Sequence, residues 1–206
     1  MMNFLKKLFN RPKPEKMIAV DVELDGLHPS HIIQLSYLVI EGRKVKGKNF
    51  YFRARAINRY ARQVHGLSVS DLRRLSGGET LADRAEEVYN DFADCSMVIG
   101  HDVSGDMNYI RRELAQYGYQ LPSIPIFCTL KRYTQEAHIP RKDNPKLIKP
   151  PKLVELTQYF GLSESFIAEK CHRWYGEGGD HPHDARYDAA AAYLVMLVGE
   201  KLPCPK

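Results

Sequence analysis

Residues 17–27 read MIAVDVELDGL. Met17, Ile18, Ala19 and Val20 are apolar without alternation, the pattern of a strand covered on both faces and therefore placed in the middle of a sheet rather than at its edge. Asp21 and Glu23 break the run. Side chains alternate along a strand, so two carboxylates two residues apart point to the same side at its C-terminal end. Like charges on one face repel unless something positive lies between them, and a hard divalent cation with oxygen ligands fits that need. Asp25, Gly26 and Leu27 then close the strand in a turn.

Outward from this strand, HIIQLSYLVIEG at 31–42 and VKGKNFYFRA at 45–54 are rich in β-formers and joined by a turn at Glu41-Gly42-Arg43, so an antiparallel meander is expected. A mostly helical stretch follows, with pieces around Asn58–Gln63, Ser68–Leu75 and Leu81–Phe92; Ser68 and Asp71 have the spacing of a capping box. Met97-Val98-Ile99-Gly100 repeats the logic of the opening strand. A helix beginning near Ser104 would then pack Met107, Ile110, Leu114 and Tyr117 on the sheet and hold Asp106 in its first turn, where a helix N-terminus favours a carboxylate. IPIFCTL at 124–130 offers another short strand running into a helix, and Leu153–Phe160 a helix closed by Gly161. Gly176, Gly178 and Gly179 mark residues 176–182 as mobile. Asp184 is a good N-cap, which leaves His183 on the loop and puts Asp188 about one turn into the last helix. The order β-β-β-α-β-α-β-α describes an α/β domain, a mixed sheet with helices on both faces.

The 206 residues suit one globular unit, expected over 17–206, preceded by a basic flexible arm at 1–16. No stretch approaches the roughly 20 apolar residues of a membrane span, so an integral membrane protein is not expected. Nor does MMNFLKKLFN contain the apolar core of a signal peptide. Cys95, Cys128, Cys171 and Cys204 form no C-x-x-C pair, which fits a reducing, cytoplasmic location, and Cys171, His172, His181 and His183 match no standard zinc-finger spacing. Of the net charge of +5, residues 1–16 carry five basic groups against one acidic, and 139–152 again five against one. Such blocks are either solvated or in contact with a phosphate backbone.

Asp21, Glu23, Asp106 and Asp188 thus sit at element ends that one fold can bring together. Four carboxylates in one cleft repel strongly without metal and carry enough oxygens for two Mg²⁺ or Mn²⁺ ions, the donor set of phosphodiester hydrolysis. His183, five residues before Asp188, is suited to take a proton from an attacking water, since a neutral imidazole accepts one near neutral pH.

The segments VDVELDGL, IGHDVSGD and HDARYD, in this order and at these separations, resemble the Exo I, II and III motifs of the DEDDh 3′→5′ exonucleases. These are DnaQ-like enzymes similar to the proofreading subunit of bacterial replicative DNA polymerase. HGLS at 65–68 and FCTLKRY at 127–133 resemble further family segments. The resemblance implies a ribonuclease H-like fold with a mixed five-stranded sheet flanked by helices, and release of nucleoside 5′-monophosphates from a single-stranded 3′ end, DNA favoured over RNA. It further implies one metal held by Asp21, Glu23 and Asp188, a second bridged by Asp21 and supported by Asp106, and His183 as general base. A DNA polymerase or repair factor is the implied protein partner. Candidate substrate contacts are Leu24, Asp25, His101 and Asp102 beside the first two motifs, and Lys142 and Lys146 in the basic loop. The chain departs from the family pattern at Leu24 and Asp25, where two threonines are usual, and at Asp102 and Gly105, where Asn and Phe are usual. A nucleic-acid-binding adaptor on the same fold and a hydrolase of very short oligonucleotides are the alternatives.

Overall fold

The computed structural model describes residues 15–205. All of the expected basic arm except Glu15 and Lys16 lies outside the described residues, and Lys16 opens the first strand. Five strands, β1 (Lys16–Leu24), β2 (Ile32–Glu41), β3 (Lys44–Tyr51), β4 (Met97–Gly100) and β5 (Ile126–Cys128), form one mixed sheet in the order β3-β2-β1-β4-β5. β1 is central as its double-sided apolar run requires, antiparallel to β2 and parallel to β4. Asp21 and Glu23 do not end the strand. They continue its ladder opposite Ser36 and Gln34, and the register breaks only between Glu23 and Leu24.

Eight helices are present among the described residues: α1 (Arg59–His65), α2 (Val69–Leu75), α3 (Leu81–Ala93), α4 (Val103–Gln116), α5 (Thr129–Ala137), α6 (Leu153–Tyr159), α7 (Glu164–Tyr175) and α8 (Ala185–Gly199). The alternation of β1 separates two cores. Ile18, Val20 and Val22 face α3 and α4, whereas Met17 and Ala19 face α7 and α8. Because Asp21 and Glu23 continue the second set, their side chains lie on the α8 face. Ala189, Ala190, Ala191 and Ala192 are all buried, and these small side chains let α8 lie close on β1 and β2.

Two expectations fail here. Tyr117 is 43% exposed rather than packed on the sheet, because α4 stops at Gln116 and its apolar face ends with Leu114. Helix α7 is additional to the expected order; its signals are Ser163, whose hydroxyl accepts from the Phe166 amide, and the buried series Ile167, Cys171 and Trp174.

Candidate active site

The four expected acids converge at the C-terminal edge of β1. One carboxylate oxygen from each of Asp21, Glu23 and Asp188 lies within 4.8 Å of the others. Strand alternation supplies the first two, and the start of α8 supplies the third. Asp106, in the first turn of α4, stands just beyond this trio, and its charge acts on Asp21 and Glu23. Its Oδ2 is buried without a hydrogen-bond partner.

Burial, followed by mutual repulsion, pushes the Glu23 and Asp106 carboxyls up to about 8. The same two causes hold Asp21 well above the usual carboxylate range. Asp188 is raised to about 7 by burial, although the amide donated by His183 works against the rise. An all-oxygen donor set with one orphaned buried oxygen, crowded to the point of holding protons near neutral pH, fits a hard divalent cation. Asp21, Glu23 and Asp188 could hold it.

His183 is tied to this cluster by its backbone, whose N–H donates to Asp188 Oδ2 at 3.1 Å. It sits in the left-handed region at φ +65°, a conformation that costs a non-glycine residue about 1 kcal/mol or more. Its side chain is exposed and lines a cavity of about 310 Å³ together with Gln34, His65, Leu67, Arg74 and Asp184. The backbone of His183 is thus held at the cluster while its imidazole faces this cavity, where His65 feels its charge.

Loop 176–182, expected to be mobile, is tied down. Arg186 Nη1 donates to the Glu177 carbonyl at 3.0 Å, Cys171 Sγ donates to that of Gly178, and His172 pairs with Asp180. Gly178 and Gly179 have positive φ, and a Cβ on Gly178 would strike the Arg186 guanidinium while one on Gly179 would strike the Cys171 sulfur. These glycines serve close packing.

The expected substrate contacts divide. Asp25 is 4% exposed, and its Oδ1 accepts from the Leu27 amide, the Ser30 hydroxyl and the His31 amide at 3.0–3.1 Å, so it holds the turn. His101 has both ring nitrogens engaged, Nδ1 with Thr129 Oγ1 and Nε2 with the Pro151 carbonyl; burial lowers its pKa, and it pins the basic loop to β4. Leu24 is half-buried against the α4 core. Asp102, exposed at the N-cap of α4, keeps its side chain free of a cap bond, and its charge raises Asp106. At Gly105 a Cβ would meet nothing within 4 Å. Lys142 and Lys146 are exposed on the loop between α5 and α6 and share no hydrogen bond or ion pair with the acids among the described residues.

Three residues near the acids were not anticipated. Gln34, 1% exposed on β2, donates to Asp184 Oδ1 at 3.1 Å and to Asn49 Oδ1 at 2.9 Å. Arg186 grips Asp184 with Nε at 3.0 Å and Nη2 at 2.7 Å; burial opposes ionisation of Asp184, but this grip leaves its pKa lowered. Tyr175 has a buried, unpartnered hydroxyl and lies close enough to Asp21 to feel its charge. The signal for Gln34 was available, since Gln34 and Ser36 interrupt the apolar run that fills β2 up to its last residue, Glu41.

No protein-family model matches the chain. The chain is 25% identical over 198 residues to the 3′-5′ exonuclease DinG of Bacillus subtilis, a match covering 91% of this chain and 18% of that protein. Among solved structures it is similar to Escherichia coli exonuclease I in complex with a dA16 oligonucleotide (16% identity, TM-score 0.67, 91% of this chain and 41% of that one). It is likewise similar to product-bound exonuclease I (16% identity, TM-score 0.69, 92% of this chain and 44% of that one). The chain thus spans less than half the length of each of these relatives. In sequence and in fold the chain resembles the DnaQ-like 3′→5′ exonucleases, and it has the ribonuclease H-like fold.

Proposed function

We propose that the chain is a metal-dependent 3′→5′ exonuclease of the DEDDh type, acting on single-stranded nucleic acid, DNA in preference to RNA, and releasing nucleoside 5′-monophosphates. The observation that carries it is the meeting of Asp21, Glu23 and Asp188 within 4.8 Å, beside the orphaned Asp106 and with His183 tethered to Asp188. Asp21, Glu23 and Asp188 would hold one Mg²⁺ or Mn²⁺ ion; Asp21 and Asp106 would hold a second. Such ions, when bound, polarise the phosphodiester, activate water and offset the charge of the leaving oxygen.

The protein's own groups do the rest. His183, kept at the cluster by the hydrogen bond that its backbone N–H donates to Asp188, takes a proton from the attacking water. Water oxygen bonds to phosphorus as the bond to the 3′ oxygen breaks, that oxygen takes a proton from solvent to become the new 3′ hydroxyl, and the terminal nucleotide leaves as its 5′-monophosphate. Two similarities support the polarity and the polymer: DinG is named a 3′-5′ exonuclease, and exonuclease I is seen with dA16. We place the chain in a reducing, cytoplasmic setting, where its four cysteines stay free, and in DNA repair or proofreading. The comparisons lend no support to a polymerase partner.

The test is incubation of 5′-labelled single-stranded DNA or RNA with Mg²⁺, Mn²⁺ or chelator. A ladder shortening from the 3′ end only with metal is expected, DNA faster than RNA. His183→Gln should lower kcat by about 10²–10⁴-fold near neutral pH. Retention of both polymers without shortening would turn the assignment to a binding adaptor. Cleavage confined to di- and trinucleotides would turn it to a short-oligonucleotide hydrolase.

A further inference from the structure

We infer that Arg53, Arg55 and Arg73 form a phosphate-binding site for the part of a single strand that lies upstream of its reacting 3′ end. This rests on the nuclease assignment above and extends it from the chemistry to the path of the polymer. The average charge of the body hides the feature: residues 53–75 contain six arginines, no lysine and one acid, Asp71.

Three of the six surround one cavity of about 550 Å³, walled also by Ala54, Val69 and Gly78. All three are exposed, and none makes an ion pair among the described residues. By contrast Arg84 is paired with Glu79, Arg132 with Glu200 and Arg186 with Asp184. The acids near the cavity are otherwise engaged. The Asp83 carboxylate feels Arg53 but accepts from the Thr80 amide and hydroxyl at 2.7 and 2.8 Å, and the Glu79 carboxylate is held by Arg84. Three cations around one hollow repel one another until an anion joins them. Planar guanidinium forks suit the paired oxygens of a phosphate better than lysine does.

Placement selects the strand as that anion. Helix α2 is a wall shared by two cavities: Val69 and Arg73, one turn apart, face the arginine hollow, while Asp71, Arg74 and Leu75 face the cavity of His65 and His183. A strand ending beside His183 reaches the arginines by crossing one helix, about 10–12 Å. The preceding helix is fixed to the end of the strand that carries Asp21 and Glu23, since the Asn58 amide donates to the Asp25 carbonyl at 2.7 Å and a Cβ on Gly26 would lie 2.8 Å from that of Ala61. On it, Arg59 and Arg62 are exposed and Tyr60 is 76% exposed, a phosphate-and-stacking surface continuous in sequence with the hollow.

The test compares the full chain with its Arg53→Ala, Arg55→Ala, Arg73→Ala triple variant. With Mg²⁺, the ratio of kcat/KM on an oligothymidylate of about twelve nucleotides to that on a dinucleotide should fall about 10-fold in the variant. With chelator, the salt dependence of binding the longer strand should weaken by about 2 in log–log slope, near 0.7 for each lost phosphate contact. If the triple variant does not fold, single substitutions should each remove about 0.7 of slope. An unchanged ratio and slope would overturn the site, as would loss of polyglutamate binding in the variant with no loss of strand binding. If no substrate is cleaved by either protein, the nuclease assignment fails, and the slope in chelator still decides the arginine site.

Discussion

Glu23 and Asp25 stand two residues apart at the end of one strand, and the fold treats their carboxylates in opposite ways. Asp25 is surrounded by donors: two amides and a hydroxyl converge on Oδ1, and the turn from Asp25 to His31 is built around it. The Glu23 carboxylate has no hydrogen bond among the described residues and faces Asp188, Asp184 and Asp106 instead. The same contrast recurs on α8, where Asp184 is gripped by Arg186 and Gln34 while Asp188 receives one amide. A carboxylate supplied with donors is finished by the protein, whereas one supplied with other carboxylates needs a cation to be finished.

The contrast is sharpest when one member of each class is removed. Asp188→Asn keeps an oxygen for the His183 amide but deletes a charge that a divalent ion bound there would need. Its kcat with Mg²⁺ should fall by about 10³-fold, roughly 4 kcal/mol of transition-state stabilisation. Its melting temperature in chelator should equal or exceed that of the parent, because repulsion is relieved. Activity within about 10-fold of the parent would break the division between the two classes.

Asp25→Ala should do the reverse. It strands three donors, of which the Ser30 hydroxyl is buried, at a cost of about 2 kcal/mol. In a chain of this size that is a fall of about 4–8 °C in Tm. Activity per folded molecule should hold far better than in Asp188→Asn, and comparison of calorimetry with turnover separates the two outcomes. A variant with unchanged Tm and lost turnover would return Asp25 to the substrate side.

This difference explains what could be read without coordinates. Alternation along β1 placed Asp21 and Glu23 on one face, and capping rules put Asp106 and Asp188 in the first turns of α4 and α8, because those are local regularities of backbone geometry. The central position of β1 followed from its double-sided apolar run. The fate of Asp25 and His101 was not legible, since it depends on which distant groups arrive: Ser30 and His31 across a turn, Thr129 and Pro151 from other elements. Charge counting found the blocks at 1–16 and 139–152 but passed over residues 53–75, where arginines spaced along a strand exit and two helices become neighbours only in three dimensions.

The smallest expected effect is thermodynamic and tests the unfinished class as a whole. Without metal, Glu23 and Asp106 hold their protons to about pH 8 and Asp188 to about pH 7, whereas in the unfolded chain all three release them near the ordinary carboxylate values. Between those limits the native state binds more protons than the unfolded state, so stability is lost as pH rises. Buried His65 and His101, whose pKa values are lowered, work the other way: the unfolded chain takes up their protons first, so they add stability as pH rises toward about 6.5. The two trends cancel in part below neutrality and separate above it. Across pH 7 to 8.5 His65 and His101 become neutral in both states, while the carboxylates of the cluster still titrate in the fold. In chelator the melting temperature should fall by a few degrees across that window, and Asp188→Asn should flatten the fall. Saturating Mg²⁺ should abolish it, because the ion displaces those protons and binds more tightly as they leave. A chelated profile that stays level or rises from pH 7 to 8.5 would mean that Asp21, Glu23, Asp106 and Asp188 are finished by the protein after all, and would erase the distinction from Asp25.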